Sequence, residues 1–392
     1  MRDAEPTTEK ESRTMTESPN ENKKQIDPEE QERYETALRH AREGDPAAQL
    51  EAGKLLYDGV GVKRNRGEAA RWFEKGFNGF KKKAETGDAD AVYRLALCYA
   101  DGTGVFRDDR QAARLYRKAA DLGHPLAPYC LGLRYDWNCD GERGDHAQAL
   151  SWYEIGAQRG DPRAQVRLAF CCETGSGCSQ DLAQARMWYT KAAEQGDVSA
   201  MIHAADLLLD GRGGEKNVSE GLRLLRRAAE EEEGDPEAPI RLGLFYFRGE
   251  DVPAEDRPRA DELAFQWLER AAAQSDGEAY APLGRLYLEG RGMEKDVPRG
   301  FSLVLDGAFE GDPYAQVLLG HLYEEGLGTE PSREKALEWW KYAAHNGSAE
   351  AQSLLKERGF SEKDWAEPPH LSDEDDAEED GGEDNEDENG TF

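Results

Sequence analysis

The chain of 392 residues has no long hydrophobic run, no surplus of positive charge and few cysteines. No stretch approaches the roughly 18–20 consecutive apolar residues of a membrane span, which argues against an integral membrane protein. The formal net charge of −31 argues against duplex nucleic acid as the ligand, because phosphate binding requires a surface rich in Lys and Arg. The 6 cysteines include no C-x-x-C and are too few for a small disulfide scaffold.

Motifs of catalysis and of nucleotide binding are also missing. The sequence contains no G-x-x-x-x-G-K-[ST], G-x-G-x-x-G, H-E-x-x-H or G-x-S-x-G. One interpretation of the cysteines is a zinc site built from Cys139, Cys172 and Cys178, and the other is free thiols in a reducing compartment. We favour the free thiols and predict no catalytic residue, no cofactor and no metal ligand.

The two ends of the chain differ in composition from its middle. Residues 1–28 are polar and charged, and residues 366–392 hold 13 acidic side chains and no Lys or Arg. Neither segment has enough apolar surface to offset the entropy of ordering, so both are predicted to be disordered. The acidic tail is either a solubilising end or a contact for a basic partner. The N-terminus has no apolar signal region, which predicts a cytoplasmic protein.

A repeat marked by glycines fills the middle of the chain, residues 29–365. Gly-Asp or a close variant recurs at intervals of 36–43 residues, and another glycine follows 15 residues after most of them. In Gly160-Asp161-Pro162, the glycine suits a left-handed helix end, the aspartate suits an N-cap and the proline suits the first helical turn. Ala, Leu, a small residue and Tyr then recur on one helical face. The spacing predicts a series of helical hairpins.

Two units depart from this period. The first has seven extra residues within 76–85, about two helical turns, which keeps the helix face in phase. The sixth has five extra residues within 250–261, a charged segment that contains prolines. Such insertions are either tolerated loops or marks of the binding side.

The repeat resembles the Sel-1-like repeat (SLR) family, which is related to tetratricopeptide repeats. The segment ARMWYTKAA at 185–193, for example, is similar to the family pattern A-x-x-W-Y-x-K-A-A. The resemblance covers eight complete units and the first helix of a ninth, about residues 44–355, and a further helix at about 30–43 precedes them. It implies an all-α fold, an α/α solenoid forming a right-handed superhelix of about eight to nine helical hairpins.

The same resemblance implies a function. It favours a non-catalytic adaptor or scaffold that binds a protein or peptide partner along a concave face. A structural subunit of a larger assembly is the alternative, and a hydrolase with a site between repeats is the least favoured. The sequence indicates no oligomeric state.

The candidate partner-binding residues come from helical geometry. Positions 6, 10 and 13 residues after each repeat glycine lie opposite the core stripe of the first helix. By analogy with tetratricopeptide arrays, that side lines the concave face. Its apolar character predicts either packing between hairpins or a groove for an apolar or amphipathic segment with Lys or Arg flanks. The predicted partner-binding residues are Tyr93, Leu97, Tyr129, Leu133, Val166, Phe170, Ile240, Leu244 and Phe247.

Overall fold

A computed structural model describes residues 27–136, 145–231, 236–274 and 277–367. Over these ranges the chain forms α-helices and two short 3₁₀ helices, and the same ranges contain no β-strand. The predicted all-α repeat solenoid is therefore confirmed. The ends predicted to be disordered lie almost wholly outside the described residues.

Eighteen α-helices are described. They are α1 (Pro28–Glu43), α2 (Pro46–Asp58), α3 (Arg66–Glu85), α4 (Ala89–Asp101), α5 (Asp109–Asp121), α6 (Ala127–Asp136), α7 (His146–Gln158), α8 (Pro162–Thr174), α9 (Leu182–Glu194), α10 (Val198–Asp210), α11 (Val218–Glu230), α12 (Glu237–Arg248), α13 (Ala260–Ala272), α14 (Gly277–Glu289), α15 (Val297–Phe309), α16 (Pro313–Glu325), α17 (Arg333–His345) and α18 (Ala349–Glu357). The 3₁₀ helices span Arg257–Arg259 and Glu362–Asp364. From α2 to α17, even-numbered helices are the first helices of hairpins and odd-numbered helices are the second. No described helix is both long and apolar enough to cross a membrane.

The chain divides into two compact units after Arg134. The first unit contains α1 to α5 and most of α6, and the second contains the described residues from Tyr135 onward. Within each unit, helices pack mainly against their neighbours in sequence, as expected for a solenoid. The predicted boundaries of the repeat region, 29–365, stay a prediction.

Helix boundaries follow the predicted Gly-Asp-Pro signal, as α16 illustrates. The Asp312 carboxylate accepts hydrogen bonds from the backbone N–H groups of Tyr314 and Ala315, at 3.0 and 3.2 Å. Pro313 occupies the first helical position, where no N–H is needed, and Gly326 ends the helix at a φ of 68°. The sequence thus sets both ends of this helix locally.

The turn inside six of the described hairpins has a further glycine, at Gly61, Gly104, Gly177, Gly213, Gly292 or Gly328. Gly102 ends α4 at a φ of 73°, and Gly104 adopts a φ of 74° two residues later. A Cβ atom on Gly104 would lie 2.4 Å from the carbonyl oxygen of Phe73 on the preceding second helix, α3. The glycine pair therefore allows a turn to contact the backbone of the hairpin before it.

A buried glutamine joins neighbouring hairpins, which the sequence reasoning missed. Gln316 is fully buried, and its side-chain amide donates a 3.1 Å hydrogen bond to the carbonyl of Ala308 on the preceding second helix. The same bond recurs from Gln49 to Ala41, from Gln165 to Ala157 and from Gln352 to Ala344. Each glutamine lies five residues after its repeat glycine, so the position was visible in the sequence.

Two of the repeats that lack this glutamine use an arginine instead. Met201 occupies the position in one of them, and the equivalent carbonyl, that of Ala193, accepts a 3.2 Å hydrogen bond from Arg227. In the next repeat Arg270 donates to the carbonyl of Ala229. Both arginines come from the second helix that follows, so a different side chain satisfies the same backbone group.

The two insertions take different forms. Helix α3 has 20 residues where α5 and α9 have 13, and its buried Phe77 and Phe80 keep the core face in phase, as predicted. The segment 250–261 is a loop that contains the first 3₁₀ helix. There the Asp256 carboxylate accepts hydrogen bonds from the Tyr246 hydroxyl at 2.6 Å and from Arg226 at 2.7 Å.

Candidate functional site

A groove of the first unit lies between its first helices α2 and α4 and is bounded by α3. It has a volume of about 900 Å³. It is lined by Ala47, Leu50, Glu51, Lys54, Tyr57, Asp58, Arg66, Ala70, Phe73, Arg94, Leu97, Cys98, Asp101, Gly102 and Thr103. We call it the α2–α4 groove. Leu50, Lys54 and Tyr57 occupy the predicted inner positions of α2, and Leu97 occupies one on α4.

The walls of the α2–α4 groove combine apolar and aromatic surface. Leu50, Phe73 and Leu97 are half-buried, which leaves part of each side chain accessible in the groove. Tyr57 is 43% exposed, and the guanidinium groups of Arg64 and Arg66 lie 5.6 and 5.5 Å from its ring centre. An exposed aromatic ring beside apolar side chains is a common anchor point for a protein partner.

The charges of the α2–α4 groove are partly paired. Glu51 forms an ion pair with Arg33, and Arg94 forms one with Asp90 at 2.7 Å. Asp58 and Asp101 are the last residues of α2 and α4. Helix C-termini carry partial negative charge, which the two carboxylates reinforce. That end of the groove therefore favours a hydrogen-bond donor or a cation of a ligand.

Two smaller grooves of the second unit occupy the same place in the repeat. The α10–α12 groove has a volume of about 320 Å³, and the α14–α16 groove has one of about 310 Å³. Asp206, Leu209, Asp210, Arg212, Lys216, Arg241, Leu244, Phe245, Arg248, Glu250 and Asp251 line the first. Arg285, Leu288, Glu289, Tyr314, Val317, Leu318, His321, Leu322, Glu325, Leu327 and Glu350 line the second.

Internal ion pairs occupy most of the charges in the α10–α12 groove. Lys216 contacts Asp251 at 2.5 Å, and Arg212 contacts Glu173 at 3.4 Å. Burial raises the pKa of Asp206, although Arg241 at 4.0 Å acts to lower it. Lys216, Arg212 and Arg241 of this groove are thus already paired with carboxylates of the protein.

The predicted partner-binding residues fall into three groups by exposure. Tyr93 and Ile240 are buried, at 9% and 2% exposure, and Phe170 is 41% exposed. The other members are half-buried: Leu97, Tyr129, Leu133, Val166, Leu244 and Phe247. Among the nine, Leu97 lines the α2–α4 groove and Leu244 lines the α10–α12 groove. Their role in partner binding stays a prediction.

Tyr93 shows why the position six residues after the glycine packs inward. Its ring stacks on the imidazole of His124, with ring centres 4.2 Å apart and an angle of 18°, and it lies 5.9 Å from the ring of Tyr116. Each first helix has neighbours on both sides, so this position becomes part of the packing between hairpins. The position ten residues after the glycine remains more accessible.

A polar cluster around Asp136 was not singled out from the sequence. The Asp136 carboxylate accepts hydrogen bonds from the Tyr153 hydroxyl at 2.8 Å and from Arg167, and it lies 2.9 Å from Nδ1 of His146. Burial acts to raise the pKa of Asp136, but these three partners outweigh it and lower the pKa. The cluster joins α6, α7 and α8 and therefore has a structural role.

Phe106 is the most exposed large apolar residue of the described chain, at 95%. It follows shortly after Thr103, which lines the α2–α4 groove. Other units carry Lys63, Ser179, Glu215, Glu294 and Glu330 at the equivalent position. A comparison of the repeats with one another could have identified this aromatic residue as unusual.

The thiols offer little chemistry. Burial is the main cause that raises the pKa of Cys98 and of Cys172 to about 11, so both remain protonated at neutral pH. The described residues contain no group of three or more His, Cys, Asp or Glu side chains able to hold a metal ion. Cys139, a member of the alternative zinc set, lies outside the described residues.

Comparison with known proteins places these hairpins in a family. The model of the Sel1 repeat matches residues 46–78, 89–124, 129–161, 162–197, 198–232, 236–276, 277–303 and 313–348. The chain belongs to the Sel1 repeat family. The resemblance read from the sequence is confirmed, and the eight matched segments correspond to the eight complete units of the Sel1 repeat solenoid.

Three known proteins are similar to this chain, and two of them have a Sel1 repeat or SLR fold. A crystal structure of a Sel1 repeat protein from Oxalobacter formigenes is 29% identical, with a TM-score of 0.54 over 83% of this chain and 89% of that one. A protective antigen of uropathogenic Escherichia coli strains with an SLR fold is 27% identical, with a TM-score of 0.48 over 86% of this chain and 77% of that one.

An uncharacterized protein of Neisseria meningitidis serogroup B is 26% identical over 348 residues. The match covers 82% of this chain and 63% of the relative, so this chain spans less than two thirds of the relative's length.

Proposed function

We propose that this Sel1 repeat protein is a non-catalytic adaptor or scaffold that binds a protein or peptide partner on the face formed by its first helices. The α2–α4 groove is the observation that carries this proposal. Its volume of about 900 Å³ is within the range of ligand sites, and its walls combine Leu50, Tyr57 and Leu97 with charged groups. The Sel1 repeat fold commonly serves as a protein-interaction scaffold, which supports the same function.

A peptide segment suits the α2–α4 groove better than a small polar metabolite. Apolar side chains of a segment would contact Leu50, Phe73 and Leu97, and the half-exposed ring of Tyr57 would supply an aromatic contact. The fully exposed Phe106 on the adjoining turn would extend this apolar surface. The Cys98 thiol, which lines the groove, is buried and protonated at neutral pH, so it is a poor nucleophile.

The role of the predicted partner-binding residues follows from their exposure. We assign partner contact to the exposed Phe170 and to the six half-buried members. These are Leu97, Tyr129, Leu133, Val166, Leu244 and Phe247. Tyr93 and Ile240 are buried in the packing between hairpins and would hold the contact residues in position without touching the partner.

A random peptide library displayed on phage tests the proposal with the full chain as the target. Selection is repeated with Leu97→Ser, which places a polar group in the groove wall. Leu122→Ser is the matched control, because Leu122 is 44% exposed and does not line the groove.

We expect peptides that bind the natural protein and the Leu122→Ser variant but not Leu97→Ser. The Leu97→Ser protein should remain folded, with its melting temperature lowered by only a few degrees. Recovery of no peptide, or of peptides that bind all three proteins equally well, would overturn the assignment of this groove.

A further inference from the structure

The α14–α16 groove differs from the α10–α12 groove in its unpaired charge. Its one arginine is already neutralised: Nε of Arg285 donates to Glu289 at 2.7 Å, and a further guanidinium nitrogen donates to the Tyr314 hydroxyl at 3.0 Å. Glu289 also lies 3.5 Å from Arg291. The carboxylates of Glu325 and Glu350 line the same groove, and no cation in the described part of the chain pairs with either of them. The groove therefore has an excess of negative charge.

The remaining wall of the α14–α16 groove is aliphatic. Leu318 and Leu327 are half-buried and leave part of each side chain accessible in the groove, whereas Leu288 and Leu322 are buried at 5% and 3% exposure. An aliphatic stem with a charged end fits such a site, because the stem contacts the leucines while the end reaches the rim. A neutral apolar side chain would instead displace water from Glu325 and Glu350 and offer the carboxylates no hydrogen bond in return.

We propose that the α14–α16 groove is a docking pocket for a Lys or Arg side chain of a partner segment that carries an apolar residue beside it. The inference rests on the proposed function, since it specifies which chemistry the partner presents to the second unit. Its volume of about 310 Å³ suits one side chain and part of its neighbour rather than a folded element. Glu325 and Glu350 supply the complementary charge, and the half-buried Leu318 and Leu327 supply the apolar contact.

The test extends the phage selection to the second unit of the full chain. The variant carries Glu325→Gln and Glu350→Gln together, and Glu294→Gln is the control, because Glu294 is exposed and does not line the groove. We expect the double variant alone to lose a set of peptides, and that set to share Lys or Arg next to Leu, Ile or Phe.

Fluorescence anisotropy then measures binding of one such peptide and of its analogue with norleucine in place of Lys or Arg. We expect the analogue to bind the natural protein about five- to tenfold more weakly. In the double variant the two peptides should bind nearly equally, which a double-mutant cycle detects as coupling.

Two outcomes would overturn the cation pocket: no peptide set that depends on the two glutamates, or a dependent set that lacks cationic residues. If peptides that depend on Leu97 are still recovered, the proposed function stands and the pocket alone fails. If no peptide binds the protein at all, both proposals fail.

Discussion

The α10–α12 and α14–α16 grooves of the second unit are formed by the same repeat positions but differ in charge. In the α10–α12 groove, Lys216, Arg212 and Arg241 are paired with acidic side chains. In the α14–α16 groove, Glu325 and Glu350 remain without a cation within the described chain. The repeat thus fixes where a groove forms, whereas variable positions at the helix ends determine what it attracts.

The hydrogen bonds that join neighbouring hairpins also differ between these two regions. A buried glutamine, Gln316, joins α15 to α16, whereas Arg227 reaches back to satisfy a carbonyl of α9 in the α10–α12 region. Both solutions satisfy one backbone group, but the glutamine is fully buried and the arginine is not. The two regions therefore differ in how strongly one side chain stabilises the stack.

The largest expected effect concerns two residues of α12, the buried Ile240 and the half-buried Leu244. Ile240→Ser removes a buried side chain from the packing between hairpins, and it should lower the free energy of unfolding by roughly 2–4 kcal/mol. Leu244→Ser affects a half-buried residue in the groove wall and should cost about 1 kcal/mol. Chemical denaturation followed by circular dichroism measures both. Equal losses would show that the two positions are packed alike and that the groove wall is part of the core.

The glutamine junction should be the next most sensitive. Gln316→Leu leaves the carbonyl of Ala308 buried without a donor, which should cost roughly 1–3 kcal/mol. Arg227→Leu at the arginine junction should cost about 1 kcal/mol or less, because the Arg227 side chain is only half-buried and water can take the place of its guanidinium group. Thermal melts of the two variants compare them. A larger loss for Arg227→Leu would reverse the proposed difference between the junctions.

Charge at the end of α12 provides a smaller and more specific test. Arg248→Glu places a carboxylate where α14 and α16 carry Glu289 and Glu325. It should strengthen binding of a lysine-containing peptide selected on the α14–α16 groove by about three- to fivefold, through a second acidic groove. Arg248→Gln is the control that removes the positive charge alone. Anisotropy titrations measure the change, and equal affinities for both variants would contradict a role for the added carboxylate.

The smallest effect concerns Asp206 in the α10–α12 groove. Burial raises its pKa in the folded protein, so the folded state favours the protonated form more than the unfolded state does. Its contribution to stability is therefore fully present below the unfolded pKa and is lost as the pH rises through the folded pKa. Asp206→Asn should raise the melting temperature at pH 7 by about 1 °C. The difference should vanish at acidic pH, and a lower melting temperature at pH 7 would show that the pair with Arg241 dominates.

Most of the fold was predictable because its signals are local. Gly-Asp-Pro sets the ends of α16 through backbone geometry and capping, and the extra turns of α3 follow from residue counting alone. The glutamine junction repeats at a fixed distance from the glycine and was open to the same reasoning. The arginine replacements were not, because Arg227 and Arg270 act across hairpins on carbonyls that the sequence does not reveal as unsatisfied.

The candidate site was less predictable than the fold. Helical periodicity selected the correct face of each first helix, but it could not separate Tyr93, which stacks on His124, from Leu97, which lines a groove. That distinction depends on how closely neighbouring hairpins approach. The free carboxylates of the α14–α16 groove likewise depend on which ion pairs form, and pairing is a property of the folded structure.

The scaffold proposal is tested most directly by a photo-crosslinking residue in the α2–α4 groove. Benzoylphenylalanine replaces Tyr57, an aromatic residue of the groove wall, in one protein and the exposed Leu122 in another. Each protein is irradiated with a peptide whose binding depends on Leu97. Mass spectrometry of the products reports where the peptide lies. We predict crosslinks from position 57 and none above background from position 122. Equal crosslinking from both positions, or crosslinking from position 122 alone, would contradict the assignment of this groove as the partner-binding site.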